Sequence, residues 1–223
     1  MEEKFQIIKK IVEKELSCSA HSMDHIMRVY NLAQLIAKDK NIDQEVLKAS
    51  VLLHDIARAR EDNDPTGNTC HAVQGSIMAE SILEELNFPE KKIKHIQDCI
   101  ISHRSKTENK PQTIEAKILF DADKLEVLGA IGVARTFVWI GQNNAKIHRN
   151  INLDEYIEEN LGGKINGRIQ DTSKHCPQIE YQTKTQHIIN KLHTDKAKRI
   201  GKERQDYYKN FLDKLEREIN GEE

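Results

Sequence analysis

The chain has 223 residues, 31% of them charged and only 5% aromatic, so it can bury a core without disulfide or metal staples and suits helices better than a sheet-rich fold. A formal net charge of -2 gives no basic field for nucleic acid, and no run of about 18 apolar residues exists to span a bilayer. The acidic, amphipathic start MEEKFQIIKK lacks the apolar core of a signal peptide, and Cys18, Cys70, Cys99 and Cys176 are spread without a Cys-x-x-Cys pair, so a cytoplasmic protein with reduced thiols is expected.

Residues 2 to 16 place Phe5, Ile8, Ile11, Val12 and Leu16 at helical spacing, the pattern of an amphipathic helix laid on a core. After the polar break SCSAHS, Ser22 is placed to cap a helix running to about Lys38, on which His25, Val29, Leu32, Ala33 and Ile36 share one face. His25 therefore points inward near the helix start. Asn41 or Asp43 can cap the next helix, whose positions Val46, Leu47, Ser50, Val51, Leu53 and Ile56 lead to His54 and Asp55 within VLLHDIAR. An unpaired buried carboxylate costs on the order of several kcal/mol, so the pair calls for a compensating cation or donor. The plainer alternative is that Asp55 orients His54 or closes the helix. Adjacent helical residues diverge by about 100°, so both reach one ion only if it lies beside the helix between their directions.

The segment REDNDPTGNT, residues 60 to 69, has the content of a loop and suits a rim over such a site. Thr69 can cap a helix from about Cys70 to Leu86, which puts His71 in the first turn, and Asn87 to Pro89 breaks it. On the following helix Ile93, Ile96, Ile100 and His103 form a stripe that His103 ends as His25 begins one. A second polar loop, SKTENKP, closes with Pro111. TIEAKILFDADKLEVLGAIGVARTFVWIG then reads as one long central helix around residues 113 to 139, apolar nearly all round. One face holds Ile114, Ile118, Asp121, Leu125 and Leu128, and another holds Ala116, Phe120, Asp123, Val127 and Ala134. Periodicity does not choose between the two aspartates. Gly129 and Gly132 would let a neighbouring helix approach closely.

Residues 141 to 180 are polar and read as short helices and loop, with a turn at Gly162 and Gly163. One helix is expected near residues 185 to 192 and a longer one to about Ile219, with Ile200, Tyr207, Tyr208, Phe211, Leu215 and Ile219 on its apolar side. The basic stretch KLHTDKAKRIGKER reads as a solvated helix face rather than a phosphate-facing patch.

Imidazole and carboxylate together suit Mn²⁺, Fe²⁺, Co²⁺, Ni²⁺ or Zn²⁺ better than an all-oxygen calcium cage. His25, His54, Asp55 and one later aspartate would supply two nitrogens and two oxygens from three helices. This H…HD…D arrangement, its last Asp in an ADKL setting, resembles the HD-domain superfamily of metal-dependent phosphohydrolases. HSMDHIMRVYNLA, VLLHDIAR, the helix containing His71, IISHR, ILFDADKLEVLGAIGVAR and TQHIINKLHTDKAKRIGKER look like the ordered blocks of a bacterial and archaeal branch of uncharacterised or nucleotide-hydrolysing members. The resemblance is thinnest from residues 141 to 180.

The resemblance implies an all-α HD-domain helical bundle, with one domain over residues 1 to 223, its core about 20 to 140 and a C-terminal helical extension about 141 to 223. It implies a divalent cation, Mn²⁺, Fe²⁺, Co²⁺, Ni²⁺, Mg²⁺ or Zn²⁺, held by His25, His54, Asp55 and Asp123. Asp123 is chosen over Asp121 because the superfamily's last ligand sits in an AD-[KR]-L setting, and Asp121 is then the alternative or an outer group. Some nucleotide-cleaving members carry an acid three residues after the HD pair, where this chain has Arg58, so no carboxylate stands at that position for proton transfer. His71 and His103 offer replacements, at places comparable to the second-ion ligands of two-metal phosphodiesterase members. Arg28 and Arg58, each about a helical turn beyond a histidine of the set, and more weakly Lys124, are candidates to grip phosphate. The expected activity is hydrolysis of a small phosphoester or phosphoanhydride, a nucleotide by resemblance, through a metal-activated water. A regulator that binds metal and nucleotide without turnover is the alternative, which the intact ligand set argues against. A nucleic-acid module using the basic C-terminal helix conflicts with the net charge.

Overall fold

The computed structural model describes residues 2–16, 23–104, 109–165 and 167–222, and among them are eleven α-helices, three short 3-10 turns and no strand. The expected caps and loop at Ser22 and residues 105–108, and the thiol of Cys18, lie outside the described residues. No helix among the described residues is long and apolar enough to cross a membrane. The chain divides into two compact units, Met1–Asp123 and Lys124–Glu223.

The first unit holds α1 (Glu3–Glu15), α2 (Met23–Ala37), α3 (Gln44–Leu53), α4 (Arg58–Asp62), α5 (His71–Glu85), α6 (Glu90–Ser102) and most of α7 (Ile114–Leu125). Of the two candidate caps for α3, Asp43 is the one used: its Oδ1 accepts from the backbone N–H groups of Glu45 and Val46 at 3.0 and 3.2 Å. α1 and α2 pack on α3, α3 packs on α6, and α5 and α6 form an antiparallel pair turned at Asn87, whose φ is +55°. The apolar stripes read from the sequence bury as expected: Phe5, Ile8 and Val12 on α1, Val29 and Ile36 on α2, and Ile96 and Ile100 on α6 are inaccessible or nearly so. Each such side chain contributes about 1.5–3 kcal/mol. A stripe of this strength holds its polar end, His25 on α2 and His103 after α6, inside the protein.

Two local expectations change here. α3 stops at Leu53, and His54 to Ala57 form a turn in which the Ile56 N–H donates to the Leu53 carbonyl (3.1 Å) and the Arg58 N–H to that of Asp55 (2.8 Å). The His-Asp pair therefore lies just beyond the helix end and is not spread around a helix by 100°. Thr69 does not cap α5: Cys70 holds the cap position without a side-chain bond, and the Glu61 carboxylate accepts the His71 N–H instead, at 2.8 Å.

The second unit holds the end of α7, then α8 (Gly129–Gln142), α9 (Leu153–Leu161), α10 (Pro177–Thr183) and α11 (Asp195–Asn220), with 3-10 turns at Thr172–Lys174, Thr185–His187 and Ile189–Lys191. The helix expected near residues 185 to 192 is thus a pair of 3-10 turns. Gly162 closes α9 in the left-handed region, at the expected Gly-Gly turn. On α11 the buried face is Ala197, Gly201, Tyr208 and Leu212, whereas Tyr207 and Ile219 are exposed. Gly201 lets the helix settle against Leu125, Ile189 and Leu192, and that contact rotates the expected apolar side.

The single long helix expected around residues 113 to 139 is broken. Gly129 takes φ +67°, and Arg204 of α11 reaches across to donate from NH1 to the Leu125 carbonyl at the end of α7, at 2.8 Å. The close approach expected at these glycines is present: a Cβ on Gly129 would meet the Arg204 side chain at 2.9 Å, and one on Gly132 would meet Tyr208 at 3.3 Å. It would also meet the Val127 carbonyl oxygen at 2.3 Å, which is backbone and cannot swing away. Gly to Ala inside a helix ordinarily stabilises by about 0.5–1 kcal/mol. At Gly132 the sign reverses, and Gly132→Ala is expected to destabilise by about 1–3 kcal/mol through overpacking. Gly141→Ala, in open space on the same helix, is the control and is expected to gain stability. Equal melting temperatures for the two variants would contradict this account of the α7–α8 break.

Candidate metal centre

Helix ends set the chemistry of two of the histidines. The last carbonyls of a helix have no partner within it. His54, just past α3, places Nδ1 2.7 Å from the Val51 oxygen, and His103, just past α6, places Nδ1 2.6 Å from the Ile100 oxygen. A carbonyl only accepts, so each Nδ1 carries a proton, and Nε2 is the ring atom left to offer a lone pair to an ion. His71, in the first turn of α5, reaches the same state by another route: its Nδ1 lies 2.7 Å from Glu61 Oε2, a carboxylate acceptor. His25 enters from the first turn of α2.

All four rings converge on Asp55. Its Oδ2 is 3.7 Å from Nε2 of both His25 and His54, while its Oδ1 is 3.4 Å from Nε2 of His71 and 3.5 Å from Nε2 of His103. His25, His54 and Asp55 form one group and Asp55, His71 and His103 another, with one ligand atom from each residue inside 4.8 Å of the rest. All five residues are buried. Nε2 of His54 is buried with no hydrogen-bond partner, and Nε2 of His71 and His103 are 3.1 Å apart. Two lone pairs at that distance repel unless a proton or a cation sits between them and the carboxylate. Imidazole nitrogens with a shared carboxylate suit a divalent transition metal, so the residues present fit such an ion. Asp123 Oδ1 lies 3.5 Å from His25 Nε2, at the partly exposed edge of the first group, whereas Asp121 is fully buried.

Residues 23–128 match the HD domain. The uncharacterised protein MJ0778 of Methanocaldococcus jannaschii is 30% identical over 175 residues, covering 67% of this chain and 98% of that protein. The chain belongs to the HD-domain family. YpgQ of Bacillus subtilis is 24% identical over 203 residues, 91% of this chain and 86% of YpgQ. The crystal structure of YpgQ in complex with ADP matches the fold with a TM-score of 0.71 at 21% identity, over 97% of this chain and 98% of that one. An HD-superfamily hydrolase of Bacillus thuringiensis matches with a TM-score of 0.64 at 25% identity, over 97% of this chain and 95% of that one.

Burial and the neighbouring groups favour uncharged His54 and His71 and an ionised Asp55, the states in which these groups can hold a cation. Burial pushes the His54 imidazole down to about 4, and burial likewise lowers His71. Burial alone would raise Asp55, but the surrounding His54, His103 and His71 outweigh it and keep the carboxyl well below the usual range.

Of the cations expected to grip phosphate, Arg58 is the best defined. Its Nε donates to Asp62 Oδ1 at 3.1 Å, and NH1 lies 3.4 Å from His71 Nδ1. Burial disfavours the charge, yet the Asp62 and Asp55 carboxylates raise the pKa further above its usual value. Arg28 is half-buried on α2, one turn beyond His25, and Lys124 is half-buried beside Asp123 on α7.

Two residues of this HD site escaped the sequence. Glu61, read as part of a polar loop, sits on α4 and accepts from both the backbone and the ring of His71. Burial would raise its carboxyl, but these two bonds from His71, with the Arg58 charge, hold it at about 2. Arg104, visible in IISHR, donates NH1 to Glu61 Oε2 at 2.8 Å and NH2 to Oε1 at 3.0 Å. The available signal was an acid-rich segment just before a helix start, where negative charge is favoured.

Proposed function

We propose that this HD protein is a metal-dependent phosphohydrolase that cleaves a phosphoester or phosphoanhydride of a small molecule, with a nucleotide as the substrate class. The observation that carries the reading is the Asp55 carboxylate, divided between two histidine pairs whose Nε2 atoms all face it. His25, His54, Asp55 and Asp123 would hold one divalent ion, and Asp55, His71 and His103 a second. Bound there, such an ion supplies a water acidified from about 15.7 toward 7 and charge to neutralise phosphoryl oxygens.

The chain's own residues complete the site. Arg58 offers a guanidinium fork beside His71 and, by exchanging its exposed bond to Asp62 for a phosphate oxygen, orients the phosphoryl group. Arg28 and Lys124 add positive charge to the α2 and α7 sides. With no acid at the position of Arg58, His71 or His103 would protonate the leaving oxygen only where the two histidines hold no second ion; the second-ion and proton-donor roles are alternatives. The ADP held by YpgQ supports the nucleotide class.

A panel of nucleoside mono-, di- and triphosphates and cyclic nucleotides, assayed for phosphate, pyrophosphate and nucleoside release with Mn²⁺, Co²⁺, Mg²⁺ or chelator, tests the reading. Chelator-sensitive turnover of one class, lost in His54→Ala, is expected. Tight nucleotide binding without turnover of any member would replace it with the regulatory alternative.

A further inference from the structure

We infer that Glu61 is a positioning residue for the second ligand group: with Arg104 as its clamp, it fixes His71 in the one tautomer that turns the Nε2 lone pair toward Asp55 and His103. This rests on the reading that Asp55, His71 and His103 receive a cation.

Glu61 Oε2 accepts twice from one residue, from the His71 ring at 2.7 Å and from its backbone N–H at 2.8 Å. The Arg104 fork grips both carboxylate oxygens from the other side. Three chain segments, α4, the start of α5 and the second residue after α6, therefore fix one carboxylate. A neutral imidazole has one ring proton, and whichever nitrogen has an acceptor keeps it. Without Glu61, that proton is free to move to Nε2 and donate across the 3.1 Å gap to His103 Nε2, whose own proton is committed to the Ile100 carbonyl. The two histidines would then satisfy each other and close the group to a cation. With Glu61 in place both lone pairs stay exposed to the site.

A carboxylate that only capped α5 would need the backbone contact alone. Losing a cap lowers the melting temperature and leaves ring chemistry untouched. The tautomer thus separates the two roles.

The experiment combines ¹⁵N imidazole NMR of the metal-free protein with calorimetric titration by Co²⁺, in wild type, Glu61→Gln and Arg104→Gln, with thermal melts as a folding control. In wild type the His71 proton is expected on Nδ1. In Glu61→Gln, whose amide can donate to Nδ1, the proton is expected to shift to Nε2, and affinity for the second ion to fall about 10–100-fold while the first is retained. Arg104→Gln should move both readouts in the same direction by less. A folded Glu61→Gln protein with unchanged tautomer and ion affinity would reduce Glu61 to a helix cap and overturn the inference. If Glu61→Gln does not fold, the other two proteins decide: an Nε2 proton on His71 in wild type, or no change in Arg104→Gln, would overturn it as well. If wild type takes up only one ion yet the tautomer switches, the two-ion reading fails and the positioning of His71 by Glu61 stands.

Discussion

Asp55→Asn is expected to abolish binding of both ions and lower turnover by at least about 10³-fold, the largest effect of any single substitution in this protein. The other candidate ligands each serve one group, whereas Asp55 faces His25 and His54 with one oxygen and His71 and His103 with the other. An amide of the same shape supplies no negative charge and presents N–H donors to one of the pairs, filling it with hydrogen bonds. Several kcal/mol of charge stabilisation would be lost, each 1.36 kcal/mol being tenfold in rate. The fold should survive, because the turn is closed by backbone bonds from Ile56 and Arg58 that the side chain does not make. Elemental analysis and helical circular dichroism check this together. A folded variant that keeps one ion per chain would show that the carboxylate is not shared.

His103→Ala should produce the next largest change: a fall from about two ions per chain to one, with kcat reduced by about 10² to 10⁴-fold. His103 is buried, its Nδ1 is committed to the Ile100 carbonyl, and its Nε2 points at Asp55 Oδ1 and His71. His25 and His54 are untouched, so the first ion stays. Stoichiometry separates the roles open to this residue. Unchanged occupancy with slowed turnover would make it a proton donor or phosphate ligand, and unchanged kcat and KM would remove it from the site.

The sequence by itself determined the helical class, the inward faces of α1, α2 and α6, the two candidate caps of α3 and the placing of His25 and His103 at the ends of apolar stripes, because these depend on periodicity and on contacts a few residues apart. It also supplied the ordered blocks of the HD family. Tertiary structure decided the rest. Asp121 and Asp123 occupy two faces of α7 that are equally apolar in sequence, and only the position of α2 brings His25 within 3.5 Å of Asp123. α3 ends before His54 with no glycine or proline to announce it. The break at Gly129 depends on an arginine 79 residues from the carbonyl it binds, and the buried face of α11 on where Gly201 can approach its neighbours. Glu61 acts through His71, 10 residues on, and Arg104, 43 residues on. A hydrogen bond over such separations leaves no periodic trace in the chain, since its geometry exists only after the apolar faces have packed.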